Sequence, residues 1–162
     1  MTNTFDFKDG NGPVPAHHHP NGGGWVADTA TVAATAYVGP DALVSNYAVV
    51  SDNAQVYDDA QVSDNAQVYD DAQVSGNALV YGNAQVSGNA RVYKTPVRIS
   101  RSDGYDFILV PCSDGKDRII AACRYFTLEE AYNHWNKEHP EYEETTIILE
   151  ALQKLYELQK SS

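Results

Sequence analysis

Valine recurs at every sixth position from Val26 to Val92, twelve times without a slip. Alanine stands four residues after each valine, from Ala30 to Ala90. A six-residue period fits neither a helical face nor a coiled-coil seam. It fits a short strand followed by a corner, because an alanine and the next valine lie two apart and share one face of an extended chain. The corners are written in Asp, Asn and Gly, residues that tolerate positive φ and form local turns. Repetition at a fixed short period predicts a parallel β-helix over residues 26–94 with Val and Ala inside.

The pattern changes at both ends of this run. Residues 1–25 form a segment expected to cap the first coil, with Gly22, Gly23, Gly24 and Trp25 at its end and Trp25 as the lid of the apolar column. Residues 95–162 read as a small ββαα domain whose simplest role is to cap the last coil. Its hairpin is predicted around Asp114-Gly115. In that register Cys112 faces Asp117 and Cys123 faces Asp106, so two thiols are expected and not a disulfide. One face of the hairpin holds Phe107, Leu109 and Ile120; the other holds Ile108, Val110 and Ile119. A helix follows from Thr127 to His139, opened by a Thr127/Glu130 capping box and stopped by Pro140. A last amphipathic helix places Ile148, Ala151, Leu152 and Leu155 on one face.

Charge divides the chain at the same place. Residues 1–90 hold ten Asp, no Glu and one Lys, a sum of −9; residues 91–162 hold ten Lys or Arg against twelve Asp or Glu, a sum of −2. Asp52, Asp58, Asp59, Asp64, Asp70 and Asp71 fall on the corners, where they form turns and keep a β-rod soluble. No apolar run is long enough to span a membrane. The N-terminus lacks the basic start and apolar core of a secretory signal. Two cysteines without ligand spacing argue against a disulfide framework or a zinc site, so a cytoplasmic setting is expected. Adjacent His17, His18 and His19 do not point one way, which argues against a metal site there.

The Val-x-x-x-Ala-x hexads resemble the hexapeptide-repeat family of left-handed parallel β-helices. The resemblance implies a mainly β fold with three hexads to a coil and about four coils. It also implies association in threes. A twelve-residue alternation of Tyr and Ser after successive valines then gives each outer face a checkerboard. Tyr57, Tyr69 and Tyr81 are the candidates for an interface between protomers. The family is best known for acyltransferases, which need histidine on the coils. Here no His, Cys or Glu lies between Val26 and Tyr93. Gly23-Gly24-Trp25 leading into Asn-Ala-x-Val hexads, with a Thr127–Glu130 helix start in the tail, resembles a class of phage and prophage β-helix proteins. Small proteins of that origin often inhibit host defences.

The function expected on these grounds is non-enzymatic: a binding or inhibitory protein, homo-oligomeric and preferably trimeric, directed at a host protein or a nucleotide. It would need no cofactor, metal, membrane or direct nucleic-acid contact. A structural spacer of a virion is the alternative, and an acyltransferase-like enzyme is disfavoured. Arg91, Tyr93, Lys94, Arg98 and Arg101 form the only dense basic segment and are the candidate ligand or partner site.

Overall fold

The structure is a computed structural model that describes residues 3–112, 115–121 and 124–161. It divides into two compact units, Met1–Thr95 and Pro96–Ser162.

The first unit opens with a hairpin of β1 (Thr4–Phe5) and β2 (Val14–His18). Twelve short strands follow at six-residue intervals: β3 (Trp25–Ala27), β4 (Thr31–Val32), β5 (Tyr37–Val38), β6 (Leu43–Val44), β7 (Val49–Val50), β8 (Gln55–Val56), β9 (Gln61–Val62), β10 (Gln67–Val68), β11 (Gln73–Val74), β12 (Leu79–Val80), β13 (Gln85–Val86) and β14 (Arg91–Val92). They stack in parallel on partners eighteen residues away, as in Val56↔Val74↔Val92. Three sheets result: β1-β2-β3-β6-β9-β12, in which the hairpin adds antiparallel to β3, β4-β7-β10-β13 and β5-β8-β11-β14, called faces 1, 2 and 3 here. The chain is thus a β-solenoid of about four turns.

Inside, the valines at the six-residue period from Val38 to Val92 and the alanines from Ala36 to Ala90 are buried. Ala30 and Val32, on the first coil, are half-buried. Backbone groups are satisfied coil to coil: Gln55 N donates to Ala72 O and Tyr57 N to Val74 O, both at 2.9 Å.

The corners follow a single rule. Every sixth residue from Asn46 to Gly88 has φ between 55° and 67°: Asn46, Asp52, Asp58, Asp64, Asp70, Gly76, Gly82 and Gly88. Short polar side chains and glycine are the residues that accept this conformation. The aspartates do more than tolerate it. Carboxylate Oδ2 of Asp52, Asp58, Asp64 and Asp70 accepts the amide of Asp70, Gly76, Gly82 and Gly88 respectively, at 2.9–3.3 Å. Each therefore caps the left-handed residue one coil on. Glycine replaces aspartate at the corners that have no such residue one coil further on. At Gly76 a Cβ would also meet Tyr93 O at 2.6 Å.

Trp25 does not lid the column. Val26 takes the inward direction, so its neighbours point out. Trp25 stacks on Phe5 at 4.6 Å and lies 3.9 Å from the His18 ring. With Phe7, Ala16, Ala27, Val14 and Leu43 it builds a small cluster outside the column. Residues 19–24 run over the first coil instead. Buried His19 places Nε2 3.0 Å from Ala36 O, and Asn21 Nδ2 donates to the same carbonyl at 2.9 Å. Gly24 N donates to Val38 O at 3.0 Å. A Cβ on Gly24 would sit 2.3 Å from Gly39 O, so only glycine permits this approach.

The second unit has four antiparallel strands where two were expected: β15 (Val97–Ser100), β16 (Asp106–Val110), β17 (Arg118–Ala121) and β18 (Arg124–Thr127), in that order. The central pair runs Phe107↔Ala121, Ile108↔Ile120 and Leu109↔Ile119, one residue from the expected register. Ile119 therefore joins Phe107 and Leu109, and Ile120 joins Ile108. Cys112 is a buried thiol 2.8 Å from Tyr125 Oη. Asp114 and Cys123, invoked for the turn and the second thiol, lie outside the described residues.

Helix α1 (Leu128–His134) carries the expected capping box on Thr127 and Glu130 but ends at Trp135. It does not reach His139. Helix α2 (Tyr142–Lys160) buries Thr145, Ile148, Leu149, Leu152 and Tyr156. Ala151 and Leu155 are thus not core positions; the buried face is turned away from them. The core joins α1 and α2 to Phe107, Leu109, Ile119 and Trp135.

Candidate functional site

The basic segment does not act as a single array of surface charge. Arg91, Tyr93 and Lys94 are exposed on the last hexad of the solenoid. Arg98 belongs to β15, in the other unit, with Nη1 3.6 Å from Asp106 Oδ2. Arg101 is only 6% exposed and structural. Its Nε and Nη2 grip the Asp103 carboxylate at 3.0 and 2.6 Å, Nη1 donates to buried Thr145 Oγ1 at 3.0 Å, and the guanidinium lies over the Tyr105 and Phe107 rings. The hydrogen bonds from Arg101 hold the Asp103 carboxyl down to about 2.

Tyr57, Tyr69 and Tyr81 are not brought together either. Each follows a valine on a different sheet: Val56 on face 3, Val68 on face 2 and Val80 on face 1. A twelve-residue spacing on an eighteen-residue coil advances two corners at each step, so these side chains do not share a face.

What the coil does bring together is on face 3. One outward row runs Tyr37, Gln55, Gln73, Arg91, in strand register. The next runs Gly39, Tyr57, Ser75, Tyr93: Gly39 N donates to Val56 O, Tyr57 N to Val74 O and Ser75 N to Val92 O. Tyr57 Oη donates to Gln73 Oε1 at 3.4 Å, linking the rows. Near the first coil the face ends in an open depression of about 410 Å³ lined by Asn21, Thr35, Tyr37, Asn53 and Gln55. Three tyrosines, two glutamines and one arginine thus share one sheet whose corners are acidic at Asp52, Asp58, Asp59, Asp70 and Asp71 and neutral at Gly76-Asn77 and Gly88-Asn89. Face 1 differs, because Trp25 and Leu43 in its outer row pack under Phe5 and Val14. Face 2 carries Thr31, Val49, Gln67 and Gln85 in the equivalent row. Of the face 3 residues, Tyr37, Gln55 and Gln73 were not singled out from sequence. Stacking at eighteen-residue intervals from Arg91 would have found them.

The histidines fall in two places, His17, His18 and His19 before the first coil and His134 with His139 in the second unit, their rings 5.8 Å apart. His17 Nδ1 is 2.8 Å from Asp28 Oδ1, and His18 Nδ1 is 2.6 Å from Gly23 O. His134, in the last turn of α1, contacts Arg124; burial, then the charges of Arg124 and His139, push its pKa down. His139 pairs with Glu141 at 2.7 Å. Among the described residues no group of three His, Cys, Asp or Glu is placed to hold a metal, and no helix is long and apolar enough to cross a membrane.

No curated protein and no solved structure matches the chain. Residues 54–70, 72–84 and 84–94 match the family model of the YdcK β-solenoid repeat. These matches run from β8, the last strand of the second coil, to β14, and include the Gln55, Tyr57, Gln73, Arg91 and Tyr93 positions of face 3. The chain is a β-solenoid protein whose coils over residues 54–94 are similar to the YdcK β-solenoid repeat.

Proposed function

We propose that this chain is a non-enzymatic binding protein that engages a macromolecular partner through face 3 of its solenoid. The observation that carries this reading is the pair of outward rows, Tyr37–Gln55–Gln73–Arg91 and Gly39–Tyr57–Ser75–Tyr93. Tyrosine supplies contact area at low entropic cost, glutamine supplies adaptable hydrogen bonds, and arginine anchors one end. Small ligands favour concave sites. Apart from the open depression at its first-coil end, face 3 is an extended strand surface, which suits a protein better than a nucleotide. The coils also lack the His, Cys and Glu side chains that acid–base, nucleophilic or zinc chemistry would use.

The finer reading is a left-handed, hexapeptide-repeat protein of the phage and prophage type, acting in the host cytoplasm as a homo-oligomeric inhibitor of a host defence protein. Its support is the Gly23-Gly24-Trp25 lead-in, the Asn-Ala-x-Val hexads and the Thr127–Glu130 helix start.

The test is affinity capture from infected host cells with wild-type protein and an Arg91→Glu/Tyr93→Ala variant. The variant is expected to fold normally by circular dichroism and to lose the partner. Retention of the same partner at wild-type yield by the folded variant rules out face 3 as the docking surface.

A further inference from the structure

Helix α2 presents a second apolar surface that its own domain does not use. Ile147, Leu155 and Leu158 are 66%, 46% and 58% exposed. With half-buried Ala151 they fall at i, i+4, i+8 and i+11, which places all four within a sector of roughly 80° on an α-helix. The core residues Thr145, Ile148, Leu149, Leu152 and Tyr156 occupy a different sector. The exposed stripe is about 16 Å long.

We infer that this stripe is the self-association surface of the protein, pairing α2 antiparallel with α2 of a second copy about a two-fold axis at Ala151. This names the contact behind the homo-oligomeric part of the proposed function, as a dimer in place of the expected trimer, and rests on that reading. Three features favour a second copy. Ala151 stands midway between Ile147 and Leu155, so two backbones can approach closely there, while Leu158 extends past this symmetric part to the level of Glu144 of the second copy. Leu155 then falls level with Ile147 of the second copy, so large side chains meet across the axis.

The third feature is charge. Glu150 and Lys154 line one edge of the stripe, and neither forms an ion pair among the described residues. In an antiparallel pair like edges face each other. Lys154 of each copy then lies about half a turn from Glu150 of the other, giving two reciprocal pairs. A parallel pair would set this edge against Ile148 and Leu152. Glu143, Glu150 and Glu157 on the same side of the helix disfavour an anionic membrane as the occupant. A stripe this narrow sits at the small end of protein interfaces, so association is concentration-dependent and not permanent.

Sedimentation velocity from about 1 μM to about 500 μM tests this. Wild type is expected to move from 17.8 kDa toward twice that mass. Leu155→Lys is expected to remain monomeric, with Leu155→Ser as the second variant should the lysine disturb folding. Glu150→Lys and Lys154→Glu are each expected to weaken association at least fivefold, and the combined exchange to restore it. A wild-type protein that stays monomeric overturns both the pairing and the homo-oligomer reading, even if it then binds lipid vesicles. Association that survives Leu155→Lys unchanged, or a combined exchange that fails to restore it, overturns the α2 pairing alone and leaves self-association through another surface.

Discussion

The Asp64 carboxylate accepts the amide of Gly82, one coil further on, at 2.9 Å. Asp64 itself has φ 59° and receives the Asn46 side-chain amide on its other oxygen at 3.2 Å. One acidic side chain thus links three coils at a single corner. The acidic belt of the solenoid is a ladder of amide caps. It gives way to glycine at 76, 82 and 88, the corners that have no left-handed residue one coil beyond them.

Two substitutions separate the two roles of Asp64. Asp64→Gly keeps the backbone conformation and loses the charge-assisted bond, at a cost of about 1.5 kcal/mol. Asp64→Ala loses both and is expected to cost a further 1–2 kcal/mol or so. Urea unfolding curves rank the two. An alanine variant no weaker than the glycine variant contradicts the backbone role.

The interior is equally testable. Ala66 is fully buried in the solenoid interior. Ala66→Leu overpacks it and is expected to lower stability by about 1–3 kcal/mol. Thermal melts by circular dichroism check this, and an unchanged midpoint contradicts the interior placement.

Where the sequence had one dominant period, the fold could be read from it. Six divides eighteen, so a single register stacks every valine, from Val26 to Val92. The hairpin gave no such guide. Residues 107–110 are all buried, so alternation cannot tell one face from the other, and the expected pairing slipped by one residue. Trp25 was misplaced for the opposite reason: the parity of Val26 already sent it outward, and size alone suggested a lid. The candidate site was half legible. Arg91 and Tyr93 stood out by charge and by period, whereas Tyr37, Gln55 and Gln73 matter only through stacking on them. Arg101 looked like a surface cation because its partners, Asp103 and Thr145, are set by a turn and a distant helix.

Arg101 should therefore behave as a structural residue. Arg101→Glu is expected to destabilise the second unit by about 1.5–3 kcal/mol, the range for hydrogen bonds to a charged group, because Arg101 is buried while its partner Asp103 is half exposed. The paired carboxylate adds an acid limb. Asp103 in the folded protein titrates at about 2, below its ordinary value. Its contribution is therefore complete above about pH 4 and is lost as pH falls through the folded value. Asp103→Asn should flatten that limb of a stability–pH profile; an unaltered acid limb contradicts the pairing.

The central claim is that face 3 is the docking surface, and hydroxyl-radical footprinting of the captured complex tests it most directly. Tyr93 is 45% exposed, beside Tyr47 at 68% and Tyr81 at 48% as internal controls away from face 3. Partner binding is predicted to protect Tyr93, with Tyr37 and Tyr57, while Tyr47 and Tyr81 keep their reactivity. Protection of Tyr47 or Tyr81 with Tyr93 unchanged would contradict it.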